Sequence, residues 1–198
     1  MADPAHTPTA LKEDESSSGD GRWRPADAPG ALPADPDLAS WLVHRGSLTR
    51  RLRARGGDRF RLEVIGEGWE PAAAADRRLL ETEDPALYVR RVRMSIAGRP
   101  LVQACTLAPA ATVRSHAWLT GLGPSPLWEA LAERDGVART PFEFIVVDAR
   151  GHGDRAALHG LETGTDVCWG RRSRFLLGGA PLLVYEFFLP ALASLGSG

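Results

Sequence analysis

Residues 169–191 read WGRRSRFLLGGAPLLVYEFFLPA. Two β-prone runs, RSRFLL and LLVYEFFL, flank Gly178-Gly179-Ala180-Pro181, and such runs around a short glycine-containing turn predict a β-hairpin. The return run is apolar at almost every position. Leu182, Val184, Glu186 and Phe188 share one face of it; Leu183, Tyr185, Phe187 and Leu189 share the other. A strand of this kind is packed on both sides, yet it carries one carboxylate, Glu186. A buried ionised carboxylate is costly unless it is paired or hydrogen-bonded. Glu186 is therefore either half of a structural ion pair with one of the many arginines or a carboxylate that meets a ligand. On composition alone, WGRRSR reads as a solvated strand start.

A similar hairpin lies upstream, where runs 88–96 and 101–107 flank Ala97-Gly98-Arg99-Pro100. On its first strand Arg90 shares a face with Tyr88, Val92 and Met94, and Arg91 with Val89, Arg93 and Ser95. One of the two arginines must point toward the packed side of the sheet, as counter-ion of a buried acid or as receptor of a ligand carboxylate. Alternation alone does not choose between them. FRLEVIGEGW (residues 60–69) alternates as a strand, with Phe60, Leu62 and Val64 on one face, and FEFIVVDA (142–149) is a further strand.

Helices are expected in three places. Leu38, Trp41 and Leu42 follow Pro36 at helical spacing, and proline suits a first helical turn. Ser47 can cap a second short helix through Leu48 and Leu52. Pro124-Ser125-Pro126 opens a third with Leu127, Trp128 and Leu131, for which Ser125 is the expected cap. Residues 71–80 are alanine-rich and resist placement, and the segment from Arg150 to Asp166 is glycine-rich and unpatterned. Strands joined by hairpins with short helices between them predict an α+β fold built on an antiparallel sheet.

Composition narrows the function. The chain has 198 residues, 43% hydrophobic and 25% charged, ordinary for one globular domain with a tail. No apolar run approaches the ~20 residues that span a bilayer, and the N-terminus lacks the basic start and apolar stretch of a secretory signal. Two cysteines, Cys105 and Cys168, make no disulfide framework, and no zinc-ligand spacing occurs. A reduced, cytoplasmic setting is expected. Residues 1–37 carry eight acids and three bases, whereas the rest carries 17 acids and 21 bases. Residues 1–35 hold few sizeable apolar groups and are expected to be a disordered acidic extension, with order beginning near Pro36. Lys12 is the only lysine, so 23 of the 24 basic residues are arginines, which grip carboxylates through a planar fork. A mildly basic body suits a small anion and falls short of the positive stripe of a nucleic-acid binder. No phosphate-binding loop and no GxSxG nucleophile motif occurs.

Taken together, WGRRSRFLLGGAPLLVYEFFLPA resembles the C-terminal signature of the chorismate pyruvate-lyase family. WLVHRGSLTRRL (41–52), YVRRVRMSIAGRPLVQACTLAP (88–109) and LGPSPLWEAL (122–131) match it in the same order, so the resemblance covers residues 36–191. It implies a single α+β domain, here 36–194, whose antiparallel sheet and helical flaps enclose a ligand. It implies conversion of chorismate to 4-hydroxybenzoate and pyruvate, the first committed step toward ubiquinone, without cofactor or metal. Carried over by motif, the arginine that holds the ligand carboxylate falls on Arg91, and the glutamate facing the ligand hydroxyl on Glu186. Backbone contacts fall on Leu48 and Leu127. Leu48 stands where the best-known members have methionine, and the 149–168 segment is longer than theirs. A monomer that binds neither nucleic acid nor membrane is expected. The competing reading is a non-catalytic, effector-sensing domain of the same fold class. Such a domain normally follows a DNA-binding helix-turn-helix, and residues 1–35 are polar instead.

Overall fold

Both hairpins form, and they lie side by side at the centre of one sheet. The computed structural model describes residues 22–148 and 167–195. The second hairpin consists of β7 (Val167–Leu177) and β8 (Ala180–Phe188). Its turn residues Gly178 and Gly179 have φ of 57° and 93°, the left-handed conformations of a two-residue hairpin loop, which glycine adopts without steric cost. The first hairpin joins β3 (Ala86–Ile96) to β4 (Arg99–Ala108) through Ala97-Gly98. β4 pairs with β8, and β2 (Phe60–Pro71) flanks β3. On the other edge of β7 lie β5 (Val137–Arg139) and β6 (Glu143–Asp148). β1 (Arg24–Pro25) closes that edge against β6. Among the described residues this makes an antiparallel sheet of eight strands in the order β1-β6-β7-β8-β4-β3-β2, with β5 beside β7. The α+β fold is the expected one.

Helices cover both faces. α1 (Pro36–Leu42) begins where Asp35 accepts a hydrogen bond from the Asp37 N–H, and α2 (Leu48–Gly56) where the Ser47 hydroxyl accepts from Arg50. α3 (Ala74–Leu80) occupies the alanine-rich stretch that the sequence left unplaced, and α4 (Ala110–Ser115) follows β4. α5 (Leu127–Ala132) has Pro126 at its N-cap and no side-chain cap bond. Ser125, the expected cap, instead gives its carbonyl to the Arg90 guanidinium at 3.1 Å. No described helix is long and apolar enough to cross a membrane.

Order reaches further toward the N-terminus than Pro36. Arg24 and Pro25 pair with Phe144 and Glu143, Trp23 packs on Tyr185 at 5.4 Å between ring centroids, and Ala31 is buried. Apolar contacts that are distant in sequence hold this stretch, which local composition does not reveal. The tail expected over residues 1–21, and the segment 149–166, lie outside the described residues.

One sheet face carries two apolar clusters. Trp41, Leu42, Leu52, Met94, Val102, Phe144 and Phe188 belong to the first, and Tyr88, Leu119, Leu131, Phe175, Leu177 and Leu182 to the second. Between them run two cross-strand rows that hold the polar groups of this face. These are Val92–Ala104–Glu186–Arg171 and Arg90–Thr106–Val184–Ser173. The opposite face packs Leu87, Val89, Cys105, Leu107, Leu183, Tyr185 and Phe187 with Leu80 of α3.

Close packing at the β7 start explains the glycine of WGRRSR. A Cβ on Gly170 would stand 2.8 Å from Ile145 Cγ2 and 2.9 Å from Phe187 Cδ1, inside van der Waals contact with two core side chains. Gly170→Ala is expected to lower unfolding stability by about 1–3 kcal/mol, read as a lower urea midpoint with an unchanged denaturant slope. An unaltered midpoint would show that Ile145 and Phe187 yield freely.

Candidate active site

Polar rows in an otherwise apolar face need a reason, and a cavity supplies one. Between the sheet and its helical cover lies a cavity. Its floor is formed by Arg90, Val92, Met94, Ala104, Thr106, Val184, Glu186, Arg171 and Ser173. Its roof comes from Leu48 and Thr49 of α2 and from Pro126, Leu127, Trp128 and Leu131 around α5. Arg139 and Phe175 also belong to the lining. The charged groups in this lining are three guanidiniums and one carboxylate.

Glu186 resolves into both of its readings. Its Oε2 accepts a hydrogen bond from Arg171 Nε at 2.6 Å, so it is paired; it is also 19% exposed and faces the cavity. Arg171 is the functional residue that the sequence reading missed. WGRRSR is not a solvated strand start here, because the Arg171 side chain is 1% exposed. Arg171 Nη1 donates to the carbonyls of Leu42 and His44 at 2.7 and 2.6 Å, and its guanidinium carbon lies 4.1 Å from the Phe142 ring centroid. A signal for it was present. The two-residue turn at 178–179 pairs positions equidistant from it, and Arg171 stands directly opposite Glu186.

The two candidate arginines of β3 part company. Arg91 lies outside the cavity, on the opposite sheet face, where Nη1 and Nη2 bind Glu70 Oε1 and Oε2 at 2.5 and 2.7 Å. The residue onto which the motif carried the ligand-holding role is thus placed away from Glu186. Its neighbour Arg90 lines the cavity and is buried. Arg90 Nη2 donates to the carbonyls of Gly123 and Ser125 at 2.7 and 3.1 Å, while its Nε has no acceptor. Burial pulls the Arg90 pKa down, against the raising influence of Glu67 and Tyr88, so this cation sits in a setting that favours a counter-anion. Arg90 and Glu186 occupy adjacent rows, two strands and two residues apart. Sheet spacings put their Cα atoms about 12 Å from each other, enough for a six-membered ring between the two side chains.

Leu48 and Leu127 both line the cavity, as expected. Each is the first residue of its helix, where a backbone N–H has no intrahelical acceptor. Arg139 was not singled out by the sequence. Burial, and then the nearby Arg171 charge, lower its pKa.

Comparison with known proteins identifies the family. The chorismate lyase family model matches residues 20–195. A protein of Thiobacillus denitrificans named probable chorismate pyruvate-lyase is 39% identical over 166 residues, covering 83% of this chain and 88% of that protein. One of Methylococcus capsulatus with the same name is 38% identical over 159 residues, covering 79% and 97%. Among solved structures, the effector domain of PhnF from Mycobacterium smegmatis shares the fold at a TM-score of 0.50 and 15% identity, covering 74% of this chain and 90% of that one. At that identity the likeness concerns fold alone. The match along almost the whole described chain, together with relatives well above 30% identity, makes this protein a member of the chorismate lyase family.

Proposed function

We propose that the protein converts chorismate to 4-hydroxybenzoate and pyruvate, feeding ubiquinone synthesis, and that Arg90 rather than Arg91 holds the ring carboxylate. The observation that carries this reading is Arg90, a buried guanidinium in the cavity lining whose bonds go to two backbone carbonyls and which has no carboxylate within salt-bridge distance among the described residues. A buried cation without a counter-ion is costly, and a ligand carboxylate supplies the missing partner. The lining holds an excess of two positive charges, and chorismate is a dianion. The backbone N–H groups of Leu48 and Leu127 offer further donors to the same anion.

The chemistry asks little of a nucleophile. The bond between ring carbon and ether oxygen breaks, and its electron pair becomes the keto group of pyruvate. The hydrogen on the neighbouring ring carbon moves to the enolpyruvyl methylene, giving the pyruvate methyl group. The electrons of that C–H bond complete the aromatic ring. Aromatisation drives the step, so the site contributes orientation, exclusion of water and fixed positive charge as the ether oxygen gains electron density. Glu186, at the far end of the cavity from Arg90, accepts a hydrogen bond from the ring hydroxyl and turns the ring so that the two migrating centres meet. Arg171 holds Glu186 in place.

The effector-sensing alternative predicts ligand binding without product. Purified protein mixed with chorismate is expected to release 4-hydroxybenzoate and pyruvate in equal amounts; stabilisation in a thermal melt with no product would favour the sensing role. Arg90→Ala is expected to lose about 2–4 kcal/mol of substrate stabilisation, a fall in kcat/KM of roughly 30- to 1000-fold. Arg91→Ala, which removes a partly exposed pair on the other face, should keep near wild-type turnover. The reverse ranking would return the carboxylate to Arg91. Glu186→Gln should fold and turn over at least about tenfold more slowly. Arg171→Met strands Glu186 and two backbone carbonyls, and should cost about 3 kcal/mol of folding stability in urea unfolding.

A further inference from the structure

Three arginines line the cavity, and their bonds differ in kind. Arg171 is committed to Glu186 and to two carbonyls. Arg90 is assigned above to the ring carboxylate. Arg139 donates through Nη2 to the Arg45 carbonyl at 2.9 Å, and among the described residues it has no carboxylate partner within salt-bridge distance. Its guanidinium carbon sits 4.3, 4.9 and 5.6 Å from the ring centroids of Phe142, Trp128 and Phe175. Packing among three rings holds the fork flat and limits its motion without using its N–H donors. A preformed fork in an aromatic cage at the edge of a ligand cavity is a receptor for a planar anion.

Position selects the anion. Arg139 and Arg171 pack on the same Phe142 ring, so Arg139 adjoins the Arg171–Glu186 pair. Arg90 is on β3, whereas Arg139 is on β5, beyond β4, β8 and β7 from it. That places the two arginines four strand spacings apart, on the order of 19 Å along the sheet, on opposite walls. In chorismate the ring carboxylate lies across the ring from the hydroxyl, and the enolpyruvyl ether is on the carbon next to the hydroxyl. A ring whose carboxylate meets Arg90 and whose hydroxyl meets Glu186 therefore extends its side chain toward the Glu186 end.

We infer that Arg139 binds the carboxylate of the enolpyruvyl side chain, and so distinguishes the dianionic substrate from the monoanionic aromatic product. This rests on the reading of the site given above and adds to it a specificity residue outside the motifs that carry the family resemblance. Holding the side-chain carboxylate also fixes the torsion of the ether, which sets the methylene over the hydrogen that it receives.

The test separates the two anions. The chorismate KM of wild type and Arg139→Gln is taken from steady-state turnover, and their affinities for 4-hydroxybenzoate from calorimetry, which also serves for chorismate where a protein does not turn it over. Arg139→Gln is expected to raise the chorismate KM at least about tenfold, while its 4-hydroxybenzoate affinity changes less than twofold. Arg90→Ala, in contrast, should weaken both ligands. Arg139→Lys keeps the charge without the fork and should recover part of the loss; it also serves if the glutamine variant folds poorly. Equal losses for both ligands, or an unchanged chorismate KM, would overturn the inference. Wild-type protein that binds chorismate without turnover would overturn the lyase reading alone, and the comparison of affinities would still decide the role of Arg139.

Discussion

The hydrogen-bonded ion pair between Arg171 and Glu186 is the constraint around which the molecule is arranged. A guanidinium that is 1% exposed demands several acceptors, since the cost of desolvating it exceeds what one carboxylate returns. The fold supplies them from two directions, the carboxylate from the neighbouring strand and the carbonyls of Leu42 and His44 from the end of α1 and the loop after it. One cation thus ties the sheet to its helical cover. It also leaves a polar row across a face that is otherwise apolar, and the two clusters on either side cannot merge over it. The cavity between sheet and helices follows from that interruption.

The same pair accounts for what the sequence revealed and what it concealed. The hairpin at 169–191 was legible because Gly178-Gly179 separates two runs of strong β preference, and Glu186 stood out because nothing near it in sequence is charged. Its partner was also within reach, since a two-residue turn fixes the register and puts Arg171 opposite. Composition hid it: three arginines in WGRRSR resemble a solvated segment, and only the pairing shows that Arg171 is the one on the face of Glu186. Arg172 turns to Glu143 on the other face.

Arg90 and Arg91 show a different limit. Alternation states that consecutive residues diverge, but it chooses between them only when one face is plainly wet. Both faces of β3 are packed here, since Arg90 lines the cavity with residues of α2 and α5, and Leu87 and Val89 belong to the opposite apolar cluster with Leu80 of α3. A motif carried over by position then has no physical check against a one-residue slip. The check came from the partners: Glu70 satisfies Arg91 on both nitrogens, whereas Arg90 keeps an unmet Nε. Residues 22–35 and the Ser125 cap were missed for a related reason. Each is settled by a contact distant in sequence, Trp23 with Tyr185 in one case and Arg90 with the Ser125 carbonyl in the other, and local composition does not report such contacts.

Charge in the cavity bears on turnover as well as on binding. Three guanidiniums against one carboxylate match a ligand with two negative charges, and on the proposed reading the reaction divides those charges between its products. Pyruvate carries one carboxylate from the Arg139 wall, and the aromatic ring keeps the other at Arg90. Each product therefore leaves one guanidinium without its anion in a partly desolvated setting. Binding energy that depends on both carboxylates is available to the substrate and to a transition state that still holds the side chain, but to neither product singly. A site with a single arginine would grip the ring carboxylate equally before and after reaction and gain nothing from cleavage. Placing the second fork on the opposite wall, where only the side chain reaches it, makes loss of pyruvate the event that loosens the cavity's hold.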